Sequence, residues 1–276
     1  MDSFMSWFYE LGPVMQALLG GTLCWVTTMI GAGTVFFSRT VNRKLLDSML
    51  GFAAGVMIAA SIWSLIEPSM EMAKGLDMIY WLPATLGFLA GALVLRLADA
   101  WVPHLHFGLP KDQAEGVETS WRRATLLVMA ITLHNIPEGL AIGVLFGASA
   151  SGIDPTGTAT VAGAIVLAYG IAMQDLPEGM AVSLPLRGEG VSRWTSFNYG
   201  QLSGLVTPIS SVLGAVAVIA IQPILPYALG FAAGAMMFVV IEELIPSSQQ
   251  HGNTDIATLG TLIGFCVMMV LDVTLG

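Results

Sequence analysis

The chain has 276 residues, 55 % of them hydrophobic and only 11 % charged, with a net charge of −9. A soluble domain carries about 25 % charged residues, so the composition excludes a soluble globular protein and assigns the chain to the lipid bilayer. The acidic balance argues against nucleic acid as a partner.

A hydrocarbon core about 30 Å thick needs roughly 20 apolar residues per helix. Runs of that length predict eight segments, near 13–38, 46–67, 79–101, 122–149, 158–186, 194–220, 224–246 and 254–276. Segment one is flanked by Asp2 and Glu10, with no basic n-region and no small-residue cleavage site, and reads as a retained helix rather than a signal peptide. Segment two carries Met57 and Ser64 on one face and Glu67 at its outer end; segment three ends on Arg96 and Asp99, spaced to pair. The connection HLHFGLPKDQAEGVE then holds His104, His106, Asp112, Glu115 and Glu118. It reads as a solvated loop, with metal capture on the cytoplasmic side as the alternative. Segments four and five carry HNIPEG and QDLPEG, and segment seven bears Glu242 and Glu243 toward its cytoplasmic end, where they line an exit path or sit at the interface. Glu67 has the matching alternatives at an entry. The cysteines, Cys24 and Cys266, lie in apolar runs and read as small apolar residues without a disulfide framework. With short loops and no appended soluble part, 1–276 is one transmembrane domain of all-α class.

Basic residues set the orientation. Arg39, Arg43 and Lys44 follow segment one, Lys111, Arg122 and Arg123 lie between three and four, and Arg187 and Arg193 between five and six. Arg96 is near the inner end of segment three, and Lys74 falls on the other side. The odd-to-even connections are therefore predicted to be cytoplasmic and both termini outside.

Internal matches organise the chain. GFAAGVMIAASIWSLIEP from Gly51 matches GFAAGAMMFVVIEELIP from Gly230, and LGFLAGALVLRLAD from Leu86 matches LGTLIGFCVMMVLD from Leu259, pairing Asp99 with Asp272 and Ser64 with Glu243. TTMIGA at Thr27 matches SSVLGA at Ser210. Segments one to three thus repeat as six to eight, odd against even, so the copies are predicted to cross in opposite directions. Segments four and five match each other, completing a 3+2+3 inverted repeat, an arrangement that puts a transporter's substrate site at the repeat interface near the midplane.

His134, Asn135 and Glu138 share one helical face, as do Gln174, Asp175 and Glu178. Both groups count to mid-membrane, where an unpaired carboxylate costs about 3 kcal/mol and no Lys or Arg is predicted. A cation must neutralise them. Pro137 and Pro177 remove an N–H each and predict broken backbone beside the carboxylates. One imidazole among oxygens favours zinc, iron, nickel or copper over magnesium and calcium. An intramembrane metalloenzyme is a second reading, but it lacks H-E-x-x-H and has no need of an inverted repeat. A proton-coupled carrier of organic solutes is a third and would want a more aromatic pocket.

With HNIPEG and QDLPEG in this setting, the chain resembles the ZIP (Zrt/Irt-like) divalent metal transporters, most closely the GufA-like branch, over nearly its full length. The resemblance implies Zn²⁺, with iron, manganese or cadmium as further substrates, carried across the cell membrane toward the cytoplasm. It also implies a homodimer, no bound cofactor, and elevator-like sliding of segments one, four, five and six against the rest. It carries over His134, Glu138, Gln174, Asp175 and Glu178 as a primary site with Met57 as a further ligand; the residue pattern alone reads Met57 as packing. A neighbouring second metal would take Asn135 and share Asp175 and Glu178. In GQLSGLVTPISS, Thr207 stands where the family usually places a Glu. That departure predicts one well-occupied metal and a weak neighbour.

Overall fold

The computed structural model describes all residues except 1, 39–41, 106–113, 118–122, 151–158, 189 and 221–223. The described residues are helical apart from connections and one isolated antiparallel bridge between His104 and Glu115. In chain order the helices are α1 (Asp2–Glu10), α2 (Pro13–Gly33), α3 (Arg43–Ala60), α4 (Glu67–Gly75), α5 (Trp81–Trp101), α6 (Arg123–Ala150), α7 (Val161–Gly188), α8 (Arg193–Gly204), α9 (Val206–Ala220), α10 (Leu225–Val239), α11 (Ile245–Gln249) and α12 (Thr254–Leu275).

Among the described residues, seven stretches are long and apolar enough to cross a membrane: Pro13–Phe36, Arg43–Gly75, Trp81–Trp101, Val128–Ser149, Arg193–Ala220, Leu225–Gln249 and Thr254–Leu275. The remaining long helix, α7, has 28 residues. Gln174, Asp175 and Glu178 in its middle dilute an otherwise apolar run, so the residues that mark it also set it apart.

Several expectations need correction. A separate helix, α1, precedes segment one and docks through Phe8, whose ring meets Phe146 at 6.0 Å while its carbonyl accepts from the Gln16 amide at 3.0 Å. Segment two runs on to Gly75, so Glu67 is not its end. Segment six is interrupted between α8 and α9 at Leu205. The backbone is not broken at the PEG motifs: α6 continues through Pro137 and α7 through Pro177. A proline deletes one helical hydrogen bond, and each helix continues past it. Two π-helical turns, Ser61–Ile66 between α3 and α4 and Val240–Leu244 between α10 and α11, widen segments two and seven. They begin ten residues after Gly51 and Gly230 respectively, hence at matched places in the repeat.

The helices pack in reciprocal pairs: α3 along α12, α5 along α10, α2 along α7 and α6 along α9. Gly51 and Gly55 face the main chain at Ala257 and Thr261, and Gly260 and Gly264 answer at Ser48 and Phe52. The same exchange recurs when Gly87 and Gly91 face Tyr227 and Phe231 while Gly230 and Gly234 face Ala84 and Phe88. No side chain fits at these crossings, so glycine lets the axes close to backbone contact. In each of the four pairs the register advances along both chains together, so the partners are parallel. Polar ties join the connections. Asn253 donates to Asp47 at 2.8 Å with His251 3.5 Å from the same carboxylate, and Ser69 donates to the Pro226 carbonyl at 2.6 Å.

Candidate functional site

Helix α6 presents His134, Asn135 and Glu138, and α7 presents Gln174, Asp175 and Glu178, each no more than 2 % exposed. Glycine again permits the approach. Gly139 lies against the Thr207 carbonyl and Ser210 of α9, and Gly179 against the Thr28 carbonyl of α2. The imidazole Nε2 of His134 lies 3.3 Å from Glu178 and 3.8 Å from Glu138. One ligand atom from each of these three residues falls within 4.8 Å of the others. The Gln174 amide donates to Glu138, and the Asn135 amide donates to the Ser203 carbonyl of α8 at 2.9 Å.

What is missing defines the chemistry. Among the described residues, both nitrogens of His134, Oδ1 of Asn135, Oε2 of Glu138, Oε1 of Gln174, both oxygens of Asp175 and of Glu178, and Oγ1 of Thr207 are buried without a hydrogen-bond partner. No Lys or Arg among them pairs with the three carboxylates. Buried polar groups are almost always satisfied, and among these orphans His134, Glu138 and Glu178 bring ligand atoms close enough together to hold one cation.

The other sequence candidates divide between this group and two clefts. Thr207 is fully buried, and its carbonyl lies against Gly139, the residue after Glu138. Met57 is fully buried in the apolar core on α3, which packs on α7. A cavity of about 30 Å³ is lined by His134 and Leu133 on one side and by Asp99, His104, Glu242 and Glu243 on the other. Of the two glutamates, Glu243 is buried and Glu242 exposed. Asp99, which the sequence pairs with Arg96, does meet it at 3.4 Å, but also holds His104 at 2.8 Å, and Glu115 completes a second His/carboxylate group there. His106, Asp112 and Glu118 lie outside the described residues. At the far end, a cleft of about 380 Å³ is lined by Ser64, Glu67, Thr160, Gly163 and Asp272 and is closed on one wall by Leu145. Within it Ser64 donates to Asp272 at 2.5 Å.

Sequence reasoning missed Cys24 and Thr28. Both are buried on the face of α2 that packs on α7, and both flank the Asp175 carboxylate. The available signal was their i, i+4 spacing in an otherwise apolar helix.

A family model described as ZIP Zinc transporter matches residues 110–272. The zinc transporter ZIP11 of Homo sapiens is 41 % identical over 339 aligned residues, covering 95 % of this chain and 98 % of the relative. The chain belongs to the ZIP zinc transporter family. Zinc transporter GufA of Myxococcus xanthus is 35 % identical over 95 % of this chain and 98 % of its own length, which agrees with the GufA-like branch. Zinc transporter ZIPB of Bordetella bronchiseptica is 37 % identical over 95 % of this chain and 82 % of the relative. ZIP proteins are transporters and not enzymes, so the metalloenzyme reading falls away. Zinc transporters carry Zn²⁺ as cargo and not as a resident cofactor. A ZIP chain with seven such apolar helices is a multi-pass membrane protein.

Proposed function

We propose that this ZIP chain imports Zn²⁺ toward the cytoplasm through a mid-membrane site made by α6 and α7. The observation that carries the reading is the convergence of His134, Glu138 and Glu178, fully buried and facing one another without a cationic partner. Glu138, Asp175 and Glu178 supply negative charge, His134 the nitrogen, and Gln174 and Asn135 neutral oxygens. Met57 stands in reserve as a thioether ligand. A mixed N/O set suits zinc first, with iron, manganese and cadmium as further substrates.

Ions enter past Glu67, Ser64 and Asp272 and leave past Glu243, Glu242, Asp99 and His104, the two acidic clefts at opposite ends. Eight spans, α7 included, with both termini on the outer side of the cell membrane (plasma or inner), account for the four parallel pairings. Each pair joins two odd or two even segments, as alternate crossing requires. The reciprocal glycine crossings and matched π turns support the inverted 3+2+3 repeat. The whole chain, 1–276, forms a single transmembrane domain. Helices α2 and α6 to α9 pack mainly on one another and slide as a unit against α3–α5 and α10–α12. Lipid-facing apolar residues along α5 and α12, such as Leu89, Leu93, Leu259 and Ile263, offer the surface on which two copies pair as a homodimer.

The test is zinc uptake into proteoliposomes. His134→Ala, Glu138→Ala and Glu178→Ala should each reduce uptake to background while the purified protein keeps its helical content and elution volume. Wild-type uptake by both glutamate variants would overturn the site.

A further inference from the structure

We infer that an anionic phospholipid seats at one end of the α2–α8 pair, with its phosphate on Arg193 and Arg187 and an acyl chain along the rings of Phe36, Phe37, Trp194 and Phe197. The spans Pro13–Phe36 and Arg193–Ala220 meet at the same end of the bundle, because the Phe36 ring lies 4.9 Å from Trp194 and 5.4 Å from Phe197. Trp194 and Phe197 pack edge to face at 6.1 Å, which closes a trio drawn from two helices. The trio is not covered as a core would be: Trp194 is 68 % exposed and the adjoining Phe37 is 94 % exposed. Rings of that size are costly to leave in water. At the end of membrane-spanning helices they belong at headgroup level, where the apolar faces and the indole N–H both find partners.

Charge selects the headgroup. Arg193 opens α8 beside Trp194, and Arg187 is held at the turn before it by donating to the Val191 carbonyl at 2.9 Å. The Arg187 Nε has no acceptor among the described residues. Arg43 and Lys44 open α3 a few residues past Phe37, while Asp47 in that helix is buried and accepts from Asn253. Glu189 lies outside the described residues. Guanidinium groups grip phosphate oxygens in forked pairs. A zwitterionic lipid brings its own ammonium to this basic end, whereas phosphatidylglycerol brings net negative charge alone and is favoured. The seat needs only that α2 and α8 span the bilayer, so it stands apart from the zinc site proposed above.

Bromine on an acyl chain quenches tryptophan fluorescence on contact, so brominated lipid reports occupancy beside Trp194. Full-length protein in phosphatidylcholine nanodiscs receives increasing fractions of brominated phosphatidylglycerol or, separately, of brominated phosphatidylcholine. The Trp194 share of the quenching is the difference between wild type and Trp194→Phe. Phosphatidylglycerol should quench that share at about 20-fold lower mole fraction, and Arg187→Gln and Arg193→Gln should each cut the advantage about fivefold, the scale of one basic residue at a membrane surface. Arg96→Gln, on α5, should leave it unchanged. Equal quenching by the two lipids overturns the inference. So does a loss in Arg96→Gln as large as in Arg193→Gln, which marks diffuse surface charge and not a seat. A Trp194 share quenched by neither lipid means that protein covers the rings, a second copy of the chain included, and overturns it as well. Each of these results leaves the zinc site untouched, since zinc uptake reads that site separately.

Discussion

His134 and Gln174 occupy the same place in the two PEG motifs, and the difference between them is one nitrogen ligand. Imidazole favours zinc, whereas an amide oxygen favours manganese and other hard ions. His134→Gln makes the motifs alike and should weaken zinc uptake by roughly 10–100-fold, the scale that even outer-shell partners carry in metal sites. Manganese uptake should fall much less, and paired isotope uptake measures the ratio; an unchanged preference would show that charge alone selects the ion. Thr207 has the opposite promise. Its buried hydroxyl has no partner, and Thr207→Glu adds a carboxylate where α9 packs on α6, so bound zinc should rise from about one toward two per chain while turnover slows as binding deepens. Metal analysis by mass spectrometry gives the count. At this scale the motif residues were legible because spacing alone puts them on common faces. Cys24 and Thr28 were not, because which face of α2 meets α7 is decided by packing among helices that lie far apart in sequence.

The glycine crossings are the clearest element-scale feature. A larger side chain at Gly55 would run into the main chain around Thr261, and one at Gly234 into Phe88. Gly55→Leu and Gly234→Leu should therefore each cost about 1–3 kcal/mol or more, since overpacking must move backbone. Thermal unfolding in detergent should show similar drops for both, with Gly33→Ala, where nothing lies within 4 Å of an added Cβ, close to wild type. A large drop in one and none in the other would break the equivalence of the crossings. The repeat that places these glycines was readable because GFAAG and LGxLxG recur in order. The π turns and the break at Leu205 were not, because an apolar run looks the same whether its turns are tight or wide. The expected backbone breaks at Pro137 and Pro177 failed for a related reason: local chemistry weakens a helix there, yet within the packed bundle the helix runs on.

For the molecule as a whole, orientation decides the direction of transport. A cysteine introduced at Lys111, in a stretch outside the described residues, should react with an impermeant reagent only from the cytoplasmic side. One beside Asp2 should react only from the outside. The reverse pattern would turn the proposed importer into an exporter. Asp47 and His251 meet at one end and Ser69 and Pro226 at the other, and the labelling decides which of these ends faces the cytoplasm. The space beside His134 has a further, electrical consequence. It opens onto His134, whose imidazole nitrogen lies within 4.8 Å of one oxygen each of Glu138 and Glu178. No dication crosses it wearing its hydration shell; it must trade water for carboxylate oxygens one handover at a time. Such a path carries charge without conductance: zinc should accumulate as tracer, while a planar bilayer holding the same protein stays electrically silent, with no stepwise current at any applied voltage.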